Sequence, residues 1–324
     1  MNNYSWLQQK LHKFALNSNF MREITFDLES SLVTTQTNFD DHIFVAGLAR
    51  SGTTILLNAL YDSKEFATLS YSDMPFILAP NLWSKLPHNR KEISSVERAH
   101  GDGIEISIES PEAFEEVFWK TFSDEDLDTA DKFKNYVQLI IQNRQKKRYL
   151  SKNNQNIRRL ELISEIFPNS KILIPFRNPI QQSNSLLHQH KNFINLSEKD
   201  KFVSNYMKLI GHTEFGPTYV PIHDRELIYE DDFDLNHWLE QWYKTYKGCF
   251  ESLAENKNVF FICYEKLCKS EEYWSQMLEI LGINTNYKFE FIESKKIIKS
   301  EVNKRLKKET SYLYSQLSDL PNNK

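Results

Sequence analysis

Arg50, Ser51, Gly52, Thr53 and Thr54 stand between an apolar run and a helix-forming run in His42-Ile-Phe-Val-Ala-Gly-Leu-Ala-Arg-Ser-Gly-Thr-Thr-Ile-Leu-Leu-Asn-Ala-Leu60. A turn that opens a helix in this way aims backbone N–H groups at an anion, and the helix dipole favours negative charge at the same place. Gly47 and Gly52 have the spacing of a P-loop, but Thr53 stands where the loop of nucleoside triphosphate sites carries lysine. That lysine is the group that reaches the β- and γ-phosphates, and the cation here is instead Arg50, inside the turn. The expected result is an anion cradle built from the N–H groups of Ser51, Gly52, Thr53 and Thr54 with Arg50 beside them. The chain has only eight glycines, so two of them within this short window argue against an idle βα connection.

A second cationic feature closes a later apolar run, Lys171-Ile-Leu-Ile-Pro-Phe-Arg-Asn-Pro-Ile-Gln-Gln-Ser-Asn-Ser185, where Arg177 ends the strand and Ser185 follows on the next helix. A metal-dependent NTPase or kinase needs an acidic Mg²⁺ ligand at a strand end. Here one strand ends in Arg177 and another, 148–151, runs into Lys152. This chemistry suits a second phosphate held without metal, with Arg177 as a bidentate clamp and Ser185 as a hydroxyl donor.

Together the two elements resemble the sulfotransferases that use 3′-phosphoadenosine 5′-phosphosulfate (PAPS). Arg50-Ser51-Gly52-Thr53-Thr54 matches the family's loop for the 5′-phosphosulfate, and Arg177 with Ser185 matches its 3′-phosphate element. The resemblance is carried by about residues 42–80 and 148–195 and extends to 258–268. It implies PAPS as sulfonate donor, adenosine 3′,5′-bisphosphate as product, no metal, and a three-layer α/β/α fold with a central parallel sheet, the P-loop-like sulfotransferase fold. It also implies that Lys152, in Lys152-Asn153-Asn154, lies near the transferring sulfonate and that Tyr264, in Tyr264-Glu265-Lys266-Leu267, lies near the adenine. Arg50 would stabilise charge on the leaving phosphate. For the acceptor proton the first candidate is Asp73, near where protein-tyrosine sulfotransferases place a glutamate, although in Ser72-Asp73-Met74-Pro75 it equally fits a helix cap. His88, His100 and Glu109 are the other candidates, with Glu109 and Glu112 also suited to dipole capping at Ser110-Pro111. The alternatives to a sulfotransferase are a P-loop small-molecule kinase and a non-catalytic nucleotide-binding protein.

The elements that must position these groups follow from periodicity. Residues 1–40 read as an N-terminal helical lead-in with Trp6, Leu7, Leu11 and Phe14 on one face. Residues 41–324 read as one domain with helical insertions at about 87–147 and 195–256. Strands are expected at 43–47, near 66–70, at 103–108, up to Lys152, at 171–176 and at 258–263. Helices are expected at 53–62, 74–86, from Ser110-Pro111, at 129–145, 155–167, 179–193, 233–254 and 271–281. The Lys-rich tail 295–312 reads as a solvated helix. Strands alternating with helices imply a parallel sheet covered on both faces.

Composition sets the outer bounds. A net charge of −4 gives no global basic field for nucleic acid. Cys249, Cys263 and Cys268 are odd in number and without metal-ligand spacing, which suits a reducing compartment. Apolar runs such as Val259-Phe-Phe-Ile-Cys263 fall short of the roughly 20 residues that span a bilayer, and Met1 to Leu16 lacks an apolar signal core. A cytoplasmic protein is expected. The acceptor could be a small molecule, carbohydrate, lipid or peptide.

Overall fold

The structure is a computed structural model that describes residues 6–31, 41–86, 96–97, 105–106, 110–112, 114–123, 126, 128–199, 205, 207–223, 227–283, 287–293 and 301–321. In chain order the elements are α1 (Trp6–Asn17), α2 (Asn19–Ser30), β1 (Ile43–Val45), α3 (Thr53–Asp62), β2 (Phe66–Ala67), a 3-10 turn (Tyr71–Asp73), α4 (Pro80–Lys85), β3 (Val96–Glu97) and β4 (Glu105–Ile106). There follow α5 (Glu116–Thr121), α6 (Thr129–Arg144), β5 (Arg148–Lys152), a second 3-10 turn (Asn154–Arg158), α7 (Leu160–Ile166), β6 (Lys171–Phe176) and α8 (Pro179–Lys199). The last are α9 (Leu235–Leu253), β7 (Val259–Cys263), α10 (Tyr264–Lys269), α11 (Glu271–Ile280) and α12 (Lys304–Ser318).

Five strands form one sheet in the order β2-β5-β1-β6-β7, and every pairing in it is parallel. The strands are continuous apolar runs because both faces are covered. Phe44, Ile172, Ile174 and Phe261 enter the core shared with α5, α6 and α9, whereas Ile43, Val45, Leu173 and Ile262 enter the core shared with α3 and α11. Alternation with period two thus sends successive side chains into opposite layers, which makes the fold α/β in three layers. With all strands parallel, their carboxyl ends lie on one edge, where ligands of open α/β sheets bind. β1 is central, with Val45 beside Lys152 on one side and Leu173 on the other.

Several expected boundaries differ. The helix expected at 74–86 is the 3-10 turn Tyr71–Asp73 followed by the short α4. Pro111 does not open a helix: it bridges Ser70 in antiparallel fashion, and α5 begins at Glu116. The helix expected at 155–167 breaks at Arg159 into a 3-10 turn and α7. Phe14, assigned to an apolar face, is 56% exposed, while Ala15 and Leu16 carry the contact of α1.

The tail is the largest correction. α12 is not a solvated helix, because Leu306, Thr310, Leu313 and Leu317 lie on one face and are buried against α9, α8 and β7. Its lysines occupy the opposite face and mask that stripe in the average composition. Leu317→Ala is therefore expected to cost about 2–5 kcal/mol of stability, the range for a fully buried leucine. Denaturant unfolding measures this, and a loss within about 0.5 kcal/mol, as for a surface site, would return the tail to solvent.

Candidate functional site

The cradle is fixed by two close approaches. After Ala46 N–H donates to Leu173 O at 2.9 Å, the chain turns through Arg50 and Gly52, both left-handed at φ of 67° and 97°. Gly52 caps α3, and Leu56 N–H donates to Gly52 O at 2.9 Å to close the first helical turn. A Cβ on Gly52 would lie 2.4 and 2.7 Å from Tyr264 ring carbons, and one on Gly47 would lie 3.0 Å from Pro175 O. Both glycines therefore answer to backbone approach as well as turn shape. One expected donor is turned away: Ser51 N–H donates to Leu48 O at 3.3 Å, which leaves the opening of α3 at Gly52, Thr53 and Thr54 as the donor set.

Arg50, Arg177 and Ser185, far apart in sequence, meet beside this cradle. Arg50 Nε donates to Ser185 Oγ at 3.1 Å, and Arg177 Nη1 points at Arg50 O at 3.5 Å. Arg177 Nη2 donates to Gln181 Oε1 at 3.0 Å, and its guanidinium carbon lies 5.8 Å from the centre of the Tyr264 ring. Arg177 Nε is buried without a hydrogen-bond partner, and no carboxylate among the described residues pairs with this arginine. The adjacent acid, Glu265, is turned away: Oε1 accepts from Asn178 N–H at 2.8 Å and Oε2 from Tyr314 OH at 3.1 Å. Two guanidinium groups thus sit together beside a helix N-terminus, and the unpartnered Arg177 Nε is a donor that an anion would satisfy.

Tyr264 opens α10 directly after β7. Its hydroxyl donates to Ile292 O at 3.1 Å, and burial pushes its pKa up, so the phenol is neutral. Behind the loop, Gln182 Nε2 donates to Ala49 O at 3.1 Å while its Oε1 accepts from Trp242 Nε1 at 3.0 Å, so α8 and α9 together hold the turn.

The candidates for acceptor chemistry are placed differently. Lys152 ends β5 next to Val45 and is 9% exposed. Asp73 completes a capping box with Ser70, and its Oδ2 accepts from Ser70 N–H at 2.7 Å and from Arg144 Nη2 at 2.5 Å. Asp73 is thus held on the β2 side of the sheet by a cap and an ion pair. Glu112 Oε2 accepts from Tyr71 OH at 2.8 Å. His88, His100 and Glu109 lie outside the described residues.

His212 is a group that the sequence reading missed. Its Nδ1 lies 3.2 Å from Glu214 Oε2. Burial holds the imidazole below its ordinary pKa, Glu214 pulls it up, and the charge of Lys152 lowers it again, which puts His212 within electrostatic reach of the strand end. It lies in the loop Gly211-His212-Thr213-Glu214, within the stretch expected as a helical insertion, with no strand beside it to mark it. Among the described residues, no group of three or more His, Cys, Asp or Glu could hold a metal, and no helix is long and apolar enough to cross a membrane.

Residues 42–286 match the sequence pattern of the sulfotransferase family. Among solved structures, a sulfotransferase from Mycobacterium avium aligns at a TM-score of 0.49 and 10% identity, covering 98% of this chain and 79% of its own. One from Mycobacterium tuberculosis aligns at 0.48 and 12%, covering 95% and 81%, and one from Alicyclobacillus acidocaldarius at 0.44 and 15%, covering 86% and 95%. No curated protein sequence matches.

Two alanine substitutions test the geometry of the loop. Gly52→Ala meets the Tyr264 ring at positive φ and is expected to lose more than about 1 kcal/mol of stability. Gly248→Ala, inside α9 with nothing within 4 Å of its Cβ, is expected to gain about 0.5–1 kcal/mol. Thermal unfolding of both variants checks the pair. A neutral Gly52→Ala would mean that Tyr264 does not press on the turn.

Proposed function

This chain belongs to the sulfotransferase family, and on that premise we propose that it moves a sulfonate from PAPS to a hydroxyl or amine of an acceptor. The observation that carries the reading is the meeting of Arg50, Arg177 and Ser185 at a helix N-terminus, with Arg177 Nε buried and unpartnered. When bound, PAPS would supply an activated sulfonate on a phosphate leaving group. The opening N–H groups of α3 and Arg50 would hold the 5′-phosphosulfate, and Arg177 with Ser185 the 3′-phosphate. Arg50, permanently charged, would stabilise charge that grows on the leaving phosphate. Lys152 would face the transferring sulfonate from the neighbouring strand end, and Tyr264 would lie beside the adenine.

The acceptor's proton needs a base. A carboxylate already neutralised by an arginine, as Asp73 is by Arg144, is a weaker base than an imidazole that burial keeps neutral. His212, backed by Glu214, is therefore our first choice and Asp73 our second. A kinase is the less favoured reading because the ends of β5 and β6 carry Lys152 and Arg177 in place of an acidic Mg²⁺ ligand. That Cys249, Cys263 and Cys268 form no disulfide suits a reducing, cytoplasmic setting.

Calorimetry in EDTA tests the donor site. Adenosine 3′,5′-bisphosphate is expected to bind more tightly than ADP, and Arg177→Ala is expected to cost about 1.5–3 kcal/mol of that affinity, as for a hydrogen bond to a charged group. Equal affinities for the two nucleotides, or an unchanged affinity in folded Arg177→Ala, would remove the 3′-phosphate pocket.

Single-turnover sulfonate transfer from labelled PAPS separates the bases. His212→Asn is expected to lose about 10²–10⁴ in rate, whereas Asp73→Asn, which keeps the cap, should fall within a few-fold of the parent. The reverse order would give the base to Asp73.

A further inference from the structure

Beside the loop lies a small cavity with apolar walls, lined also by two amide side chains that each have one atom without a hydrogen-bond partner. Leu48 and Ala49 of the turn form one wall, and Leu186, Tyr219, Ile222 and Trp238 form the others. The centre of a water molecule can range over about 30 Å³ of it, and the empty volume, open solvent at the mouth included, is about 380 Å³. A single water needs about 10–15 Å³ measured in this way, so the inner end has room for a hydroxyl-sized group.

Asn154 and Gln241 line this space, at 7% and 3% exposure. Asn154 Oδ1 and Gln241 Nε2 are buried without a hydrogen-bond partner. Their orientation is set by the other half of each amide: Asn154 Nδ2 donates to Glu214 Oε1 at 3.2 Å, and Gln241 Oε1 accepts from Ile222 N–H at 3.2 Å. A flip would break both bonds, so one side chain leaves an acceptor unfilled and the other a donor. Leaving such atoms unmatched is costly in a folded core, and it marks a place that a ligand can satisfy.

Resting on the sulfotransferase reading, we propose that this cavity seats the acceptor and that the acceptor is an uncharged alcohol with an apolar body. A hydroxyl is the smallest group that both donates and accepts, and so it can satisfy Asn154 Oδ1 and Gln241 Nε2. Glu214 also lines the cavity and disfavours an anionic acceptor such as an acidic sugar or peptide. Glu214 Oε2 lies 3.2 Å from His212 Nδ1, and Asn154 opens the 3-10 turn that follows Lys152, so the cavity wall is continuous with the residues that carry both groups. Asn154 and Gln241 act here as positioning residues.

Saturation-transfer NMR with benzyl alcohol as probe and benzoate as its anionic counterpart tests the assignment. Benzyl alcohol is expected to bind the full chain in preference to benzoate. Gln241→Glu, which replaces the donor with an acceptor, and Val220→Trp, which fills the mouth from a half-exposed position, are each expected to weaken the alcohol at least 10-fold. Calorimetry with adenosine 3′,5′-bisphosphate is expected to be unchanged in both variants, which separates this site from the donor site. Benzyl alcohol binding equally to parent and Val220→Trp, or benzoate preferred, would overturn the proposal and leave a water-filled structural cavity. Binding of the alcohol with no sulfonate transferred from PAPS would keep the cavity's assignment as an alcohol site and sink the catalytic reading instead.

Discussion

The site depends on how little room the chain has after β1. That strand is central, is paired in parallel on both sides and is only Ile43–Val45, so the turn leaving it must reverse between the ends of β5 and β6. Pro175 presses on Gly47 from β6 and the Tyr264 ring presses on Gly52 from the end of β7. Squeezed between them, Arg50 takes a left-handed conformation that costs a non-glycine residue roughly 1–2 kcal/mol. The same squeeze turns its side chain toward Ser185 and its carbonyl toward Arg177. Backbone confinement and the collected positive charge are thus one construction.

That charge survives because the nearby acids have other partners. Glu265 is bound to Asn178 N–H and Tyr314 OH, so α12 helps to keep a carboxylate away from Arg177. Under β5, buried Glu115 accepts from Tyr149 OH at 3.0 Å, Ser151 Oγ at 2.5 Å, Asn156 Nδ2 at 2.6 Å and Trp119 Nε1 at 3.0 Å. This fully bonded network ties α5 to the strand that carries Lys152 and to the 3-10 turn that carries Asn154. Glu116, whose pKa burial raises, is claimed by Arg159. Glu265, Glu115 and Glu116 are thus all engaged away from Arg177.

The cluster of Arg50, Arg177 and Ser185 was legible in sequence because its parts are local. Arg50 through Thr54 are consecutive, and Arg177 and Ser185 lie on one strand–helix unit, so type and spacing place them before any tertiary contact is known. Core strands and long helices were readable for the same reason, since α3, α6, β6 and α9 each carry a full apolar period. What local pattern could not show was set by distant partners. Pro111 looks like a helix start but is claimed by Ser70, and the lysines of α12 hide a buried stripe that only docking on α9 explains. Asp73 was read both as base and as cap, and its ion pair with Arg144, on a helix far along the chain, carries no signal in its own neighbourhood.

The cavity proposed for the acceptor is built the opposite way, which is why it left no motif. His212, Glu214, Tyr219 and Ile222 come from a loop without regular structure, and its shape is held from elsewhere. Gly216 N–H donates to His190 Nδ1 at 3.2 Å, Tyr219 OH lies 2.6 Å from His237 Nε2, and Arg158 Nη2 donates to Pro221 O at 2.9 Å. Those anchors come from α8, α9 and the 3-10 turn after β5, three elements whose order in the sequence does not announce a shared neighbour. A phosphate site can be specified by one turn because backbone donors and a dipole do most of the work. An acceptor pocket must distinguish one neutral molecule from another, and that discrimination needs walls and amides gathered from several elements. On the proposed assignments, donor binding is expected to persist under loop changes that redirect the acceptor, since Leu48 and Ala49 are the stretch of the cradle that also lines the cavity.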